Sequence, residues 1–391
     1  MPGRHVPNAR RRPPPKQLMR QCREAEAREA LERKWHPRTV FAHELAPLVV
    51  HQEAQAEPFH RWLPYRQGFS PKLVRRFLSQ GRPSSGPILD PFSGSGTTLI
   101  ECVRQGRRAV GLETVPSLVF LTAVRLSSRA SPGEEIAFPP GIDSWDAALA
   151  FAQTPLHRAA LLMAAARTVR GDGRPRKNLP PLDALLGECG RTVAQDLAAP
   201  LPAGGSILFG DARVLPFCDA SLGGILTSPP YLGRYDYTRL TRPMAPLLRG
   251  TGAPFDERLH QVRAHRKGRA RPGKRGPVHP AVEEAALRLE ESGKKKEAGV
   301  VRSYFEDLER VVRECARALK AGAPLTAVLA GALFGGVYIA CDLVFAEACE
   351  SAGLAVEEIF EVRAFGAGRR LGSLERVSPH ESLLTARKRR G

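Results

Sequence analysis

From about residue 86 the chain alternates short apolar runs with stretches in which apolar residues recur every three or four positions. That alternation predicts a parallel sheet covered by helices. The strand-like runs are "PILD" (87–90), "RRAVGLE" (107–113), "GSILFGD" (205–211), "LGGILTS" (222–228), "LTAVLAG" (325–331), "AVEEIFEVRAF" (355–365) and "ESLLTAR" (381–387). Helices are expected after "PILD", after Pro116, over "SYFEDLERVVRECARAL" (303–319) and over "LVFAEACESAG" (343–353). Residues 131–200 read as a mostly helical insert, broken by the Gly/Pro-rich "RGDGRPRKNLPP" at 170–181. Residues 325–341 carry no charge, but their three glycines and the following Asp342 favour a buried strand plus loop over a membrane helix.

Charge changes this picture. The 391 residues have a formal net charge of +19, and so large a Lys/Arg excess favours a polyanion, because neutralised phosphates release counterions. Nucleic acid is the first expectation. Residues 1–35 begin Arg- and Pro-rich and read as a mobile basic arm, either a nucleic-acid contact or a solvated tail. The remainder, 36–391, is expected to be one large domain and holds a second basic stretch: "RLHQVRAHRKGRARPGKR" (258–275) has eight Lys or Arg and no acid, and its Gly and Pro preclude a long helix. Seven cysteines (Cys22, Cys102, Cys189, Cys218, Cys315, Cys341, Cys349) form no CxxC or Cys/His cluster, which argues against a zinc site or disulfide framework and for a reducing compartment. The N-terminal "MPGRHVPNARRRPPPK" has no apolar core of a secretory signal, so a cytoplasmic, nucleoid-associated location is expected.

The chemistry starts at "ILDPFSGSGTTLIECVRQGRRAVGLE", where a buried strand meets Asp90, a glycine turn and a helix. Gly94 and Gly96 let backbone approach a ligand, and free amides and the Thr97 and Thr98 hydroxyls stand at the helix start. The loop lacks the Lys of a phosphate-binding loop, and Asp90 would repel phosphate but attract a cation. A cofactor with positive charge, such as S-adenosylmethionine, suits it. Glu113 at the next strand end is placed for ribose hydroxyls and Asp211 at the third for an adenine amine, so three successive strands end in acids on one edge.

"DPFSGSGTT" resembles the cofactor motif, and "TSPPY" (227–231) the catalytic motif, of DNA methyltransferases that modify exocyclic amines, N4 of cytosine or N6 of adenine. The resemblance spans roughly 57–387 and implies a Rossmann-like class I methyltransferase: an α/β fold with a mostly parallel seven-stranded sheet, helices on both faces and a basic insert. It adds Phe92 and Ser95 to the cofactor set, and takes "FHRWLPYRQGFSPKLVRRFL" (59–78) as the segment over the methionine end of S-adenosylmethionine. Double-stranded DNA is the implied partner, a cognate restriction endonuclease a further candidate, and no membrane is expected. An exocyclic amine is a poor nucleophile, since its lone pair is delocalised into the ring. Acceptors aimed at its protons favour the tetrahedral nitrogen, and the Ser228 hydroxyl and Pro229 carbonyl can supply them. Pro229 and Pro230 stiffen that turn, and Tyr231 would stack on a base rotated out of the duplex.

In the resembled family a serine at the first motif position goes more often with N4-cytosine, so cytosine is preferred over adenine-N6. RNA base methylation and a non-catalytic nucleic-acid-binding role are the remaining readings. Arg234, Asp236 and Tyr237 are expected at the pocket mouth. Residues 232–300 stand where a target-recognition insert is expected, with Arg263, Arg266, Lys267, Arg269, Arg271, Lys274 and Arg275 as phosphate or guanine contacts; a solvated loop is the alternative.

Overall fold

The computed structural model describes residues 26–51, 55–65, 68–131, 133–170, 174–233, 241–248, 278–364, 370–371, 375–376 and 379–390. Its elements, in chain order, begin with α1 (Glu26–Trp35), β1 (Thr39–Phe41), α2 (Pro71–Gln80), β2 (Ile88–Asp90), α3 (Thr97–Arg104), β3 (Ala109–Glu113) and α4 (Pro116–Ser127). The helices α5 (Trp145–Phe151), α6 (Pro155–Arg167) and α7 (Leu182–Ala198) follow, then β4 (Gly205–Phe209) and β5 (Gly224–Thr227). After the basic stretch come α8 (Pro280–Glu291), α9 (Lys295–Ala318), β6 (Pro324–Ala330), β7 (Ala332–Phe334), β8 (Val337–Ile339), α10 (Cys341–Ser351) and β9 (Leu354–Ala364). The chain closes with β10 (Arg370–Leu371), β11 (Glu375–Arg376) and β12 (His380–Lys388).

One sheet runs β1-β9-β12-β6-β5-β2-β3-β4, all parallel except β12, which is antiparallel to both neighbours. Its central strands β2, β3, β5 and β6 are buried on both faces, as a doubly covered sheet requires. Ile88, Ala109, Leu226, Val328 and Leu383 share one core with Val74 and Phe77 of α2 and Leu99 of α3. Their chain neighbours Leu89, Val110, Ile225, Leu329 and Leu384 point the other way, into a core with Val301, Leu308 and Val312 of α9 and Phe345 of α10. The chain builds β2, β3 and β4 outward on one side and then crosses to β5 and β6 on the other. The reversal between β2 and β5 is the switch point at which such sheets open a crevice beyond their carboxyl ends.

Four expectations change. The sheet has eight strands rather than seven, because Thr39–Phe41 adds an edge strand parallel to β9, a run of three residues too short to carry a period. The basic arm does not extend over 1–35: residues 26–35 form α1, whose Leu31 and Trp35 are buried, with the Trp35 indole N–H donating to Glu347 at 2.7 Å and the Ala27 N–H to Glu284 at 2.7 Å. The insert placed at 232–300 is shorter as well. Val282, Ala286 and Leu289 of α8 are fully buried, so the chain has rejoined the core by Pro280. Finally, "LFGGVY" is a hairpin of β7 and β8, turned by Gly335 and Gly336 at φ 61° and 90°, the positive pair that a tight two-residue hairpin needs.

Residues 131–200 contribute α5, α6 and α7, which close a separate core. Leu161, Leu162 and Met163 of α6 meet Leu186 and Val193 of α7, Leu121 of α4, Trp62, and also Met244 and Leu247 beyond the Ser-Pro-Pro-Tyr turn. Among the described residues no helix is long and apolar enough to cross a membrane.

Candidate active site

The glycine turn follows from backbone geometry. Gly94 and Gly96 have φ of 51° and 79°, where a side chain is strained, and a Cβ would stand 3.0 Å from the Tyr65 hydroxyl and 2.8 Å from Thr122 Cγ2 respectively. The turn closes by Gly96 N–H to Ser93 O at 2.8 Å, and Ser93 N–H reaches Leu112 O of β3 at 2.9 Å. Thr97 then opens α3.

Asp90 is the hub beneath it. One carboxylate oxygen accepts from the Phe92 N–H at 3.1 Å and the Thr227 hydroxyl at 2.8 Å, and the other from the Thr98 hydroxyl at 2.7 Å. The residue before Ser228 is thereby joined to the glycine turn across the switch point. Burial pushes the Asp90 carboxyl up to about 6, against the two hydroxyls and the amide, which pull it down. Glu113 accepts from the N–H groups of Gly94 at 2.8 Å, Thr114 at 2.8 Å and Val115 at 3.0 Å, and burial also raises its carboxyl. Asp211 is held in a fork by Arg213, Nε to Oδ1 at 2.9 Å and Nη2 to Oδ2 at 2.6 Å, while Arg213 Nη1 reaches the buried Asp307 of α9 at 3.2 Å.

These groups surround a crevice of about 920 Å³, its open mouth included. Of the residues expected from sequence, Asp90, Phe92, Gly94, Ser95, Thr97, Glu113, Asp211, Ser228 and Pro230 line it. Gly96 and Thr98 stand behind, Gly96 against Thr122 and Thr98 fully buried on Asp90. Pro229 is buried. Tyr231 is off the lining, its hydroxyl donating to Glu381 at 3.3 Å, whose other oxygen accepts from Arg363 Nε at 2.9 Å. The Pro230 carbonyl accepts from the Tyr304 hydroxyl at 2.9 Å. Arg234, Asp236, Tyr237 and the basic set Arg263 to Arg275 lie outside the described residues.

The crevice also uses Tyr65, Gly68 and Phe69 as one wall, within the 59–78 segment expected over the cofactor, and Leu112, Val115 and Leu118 as an apolar floor that no motif announced. Three carboxylates and no Lys, Arg or His stand among the described lining residues, so the donor set suits a ligand with hydroxyls, an apolar ring and positive charge better than one with phosphates. Three of the contacts to Glu113, from the Thr114 and Val115 N–H groups and the Thr114 hydroxyl, fall on Oε1, so Oε2, which accepts from Gly94, keeps a second lone pair.

A family model described as DNA methylase, N6_N4_Mtase, matches residues 11–122, which include the glycine turn and Glu113. The type II methyltransferase M.AvaI of Nostoc sp. is 23% identical over 421 residues, covering 85% of this chain and 86% of that one. M.BsoBI of Geobacillus stearothermophilus, also a type II methyltransferase, is 37% identical over 70 residues, 18% of this chain and 14% of that one. Among solved structures, a SAM-dependent methyltransferase from Methanosarcina mazei aligns with a TM-score of 0.35 and 10% identity, over 82% of this chain and 98% of that one. With a cofactor-type glycine turn and a Ser-Pro-Pro-Tyr corner on one crevice, the chain is similar, over residues 11–122, to the N6/N4 DNA methylase family and, at 23% identity along most of its length, to a type II methyltransferase.

Proposed function

We propose that this protein methylates the N4 amine of cytosine in duplex DNA, with S-adenosylmethionine as donor and the target base turned out of the helix. The observation that carries this reading is that Ser228 and Pro230 line the same crevice as Asp90, Gly94, Ser95, Thr97 and Glu113. When bound, the cofactor supplies an electrophilic methyl group on a sulfonium. Glu113 takes its ribose hydroxyls, Leu112, Val115 and Leu118 its ring, Asp211 its adenine amine, and the ionised Asp90 favours its positive charge. The Ser228 hydroxyl and the Pro229 carbonyl accept hydrogen bonds from the two amine N–H groups and favour the tetrahedral nitrogen, one proton leaving to solvent after methyl transfer, while Tyr231 stacks on the base. No thiolate is required. Cysteine is absent from the described lining, and burial pushes the Cys102 and Cys315 thiols up to about 12. Arg263, Arg266, Lys267, Arg269, Arg271, Lys274 and Arg275 contact phosphates or guanine edges, and a cognate restriction endonuclease is a partner consistent with the type II relatives.

The test is nucleoside mass spectrometry of DNA and RNA incubated with the protein and isotopically labelled cofactor. Labelled N4-methylcytosine from DNA is expected. Labelled N6-methyladenine would replace the base assignment, and label in RNA alone would replace the polymer.

Cofactor binding carries a pH signature. Asp90 favours a cation only when ionised, and its carboxyl takes up a proton as pH falls through about 6. The dissociation constant measured by titration calorimetry should therefore be about tenfold weaker at pH 5 than at pH 7. Asp90→Asn should bind weakly at both and lose most of this slope, any residue of it reporting Glu113. A slope unchanged in the variant would take Asp90 out of the binding equilibrium.

A further inference from the structure

We infer that Tyr304 is a positioning residue for the methyl acceptor: its hydroxyl fixes the one backbone torsion that the two prolines of the Ser-Pro-Pro-Tyr turn leave soft. The inference rests on the reading of Ser228, Pro229 and Tyr231 given above. Between Ser228 and Tyr231 nearly every torsion is already restricted by sequence. The two rings lock φ of Pro229 and Pro230, and each residue that precedes a proline, Ser228 and then Pro229, is confined to extended ψ. Upstream, Thr227 is held by Asp90 at 2.8 Å. Within the proline pair what remains is ψ of Pro230, which with φ of Tyr231 sets the Tyr231 ring relative to the Ser228 hydroxyl and the Pro229 carbonyl. That torsion sets the direction of the Pro230 carbonyl, and the carbonyl is the acceptor that Tyr304 holds at 2.9 Å from a point 74 residues further along the chain.

Tyr304 is built to stay put. It is 2% exposed within α9, with its ring edge-on to Phe305 at a centroid distance of 5.0 Å. One turn further along the same helix, the buried Asp307 takes Arg213, the residue that forks Asp211 at the other end of the crevice. One rigid helix therefore sets both the turn that presents the acceptors and the loop that carries the third acid. A packing role alone would need only the ring of Tyr304; positioning needs its hydroxyl.

Tyr304→Phe keeps the ring and removes the donor. Single-turnover methylation with saturating DNA and cofactor should slow about 10- to 100-fold, the range expected when reacting groups are displaced by up to about an ångström. The cofactor dissociation constant should stay within about twofold and the DNA KM should be little changed. Phe305→Leu is the control for packing: it should lower the urea midpoint and leave the rate unchanged. A Tyr304→Phe rate within twofold of wild type overturns the inference, and so does a Phe305→Leu protein slowed to the same degree. Should the wild-type protein transfer no methyl to DNA, the proposed function itself fails. An active wild type, an inactive Ser228→Ala and a full-rate Tyr304→Phe would remove only the role of Tyr304.

Discussion

Ser228→Ala is expected to lower kcat for DNA methylation by about 100- to 1000-fold, the range seen when one preorganised polar contact to a reacting centre is deleted, while the cofactor dissociation constant stays within about threefold. The asymmetry comes from where the hydroxyl stands. Ser228 lines the crevice at the end of β5, whereas the contacts proposed to hold the cofactor come from β2, the glycine turn, β3 and the loop after β4. Deleting one oxygen removes an acceptor for the amine proton and leaves the Asp90, Thr98 and Thr227 hydrogen bonds in place, so the fold and the first binding event are spared. The measurement is a pair: single-turnover rate on a defined duplex, and calorimetric titration of the cofactor. Full rate in the variant would take Ser228 out of the chemistry. A parallel loss of rate and cofactor affinity would instead make it part of the cofactor site.

Which parts of this site could be read beforehand depends on how locally each is encoded. The glycine turn and the proline corner are written in consecutive residues, because positive φ and a stiff bend each demand particular residue types at fixed positions. The three acids were legible because each closes an apolar strand-like run, although β4, the run before Asp211, leaves Leu208 and Phe209 exposed. Side chains that act across the sheet have no such record: nothing near Tyr304 indicates Pro230, and nothing near Arg213 indicates Asp307. The docking of α1 was missed for a different reason. Its surface is mostly charged, and two residues, Leu31 and Trp35, carry the burial. The α8 helix did have a signal, since Val282, Ala285, Ala286 and Leu289 recur at helical spacing after His279-Pro280, but the basic composition just before it drew the boundary of the insert too far along the chain. The hairpin of β7 and β8 had one too, in its Gly-Gly pair.

Glu101→Ala is expected to cost about 3–5 kcal/mol of unfolding free energy, as does breaking other buried charge networks from one side. Glu101 lies on α3, one turn beyond the glycine turn, and is fully buried. Its oxygens accept from His60 Nε2 at 3.0 Å, Arg104 Nη1 at 2.7 Å and Arg75 Nε at 2.8 Å, so one carboxylate ties the wall segment and α2 to the helix of the cofactor motif. The alanine variant leaves two guanidinium groups facing a gap. Both have some solvent, with side chains 41% and 24% exposed, and Glu57 remains beside Arg75 at 3.1 Å, which places the loss toward the lower end of the range. Burial works to raise the Glu101 carboxyl, but His60, Arg104 and Arg75 outweigh it and hold the group at about 2, below its ordinary 4.5. A depressed carboxyl stabilises the fold fully above its unfolded value and loses that contribution as pH falls through the folded one. The wild-type urea midpoint should therefore drop between pH 4.5 and pH 2, and Glu101→Gln, which keeps an acceptor and loses the charge, should show a shallower drop and a smaller loss than alanine at pH 7. Equal slopes in wild type and the Gln variant would mean that other carboxylates dominate acid unfolding. An unchanged midpoint in Glu101→Ala would mean that the wall of the crevice does not depend on this carboxylate for its place.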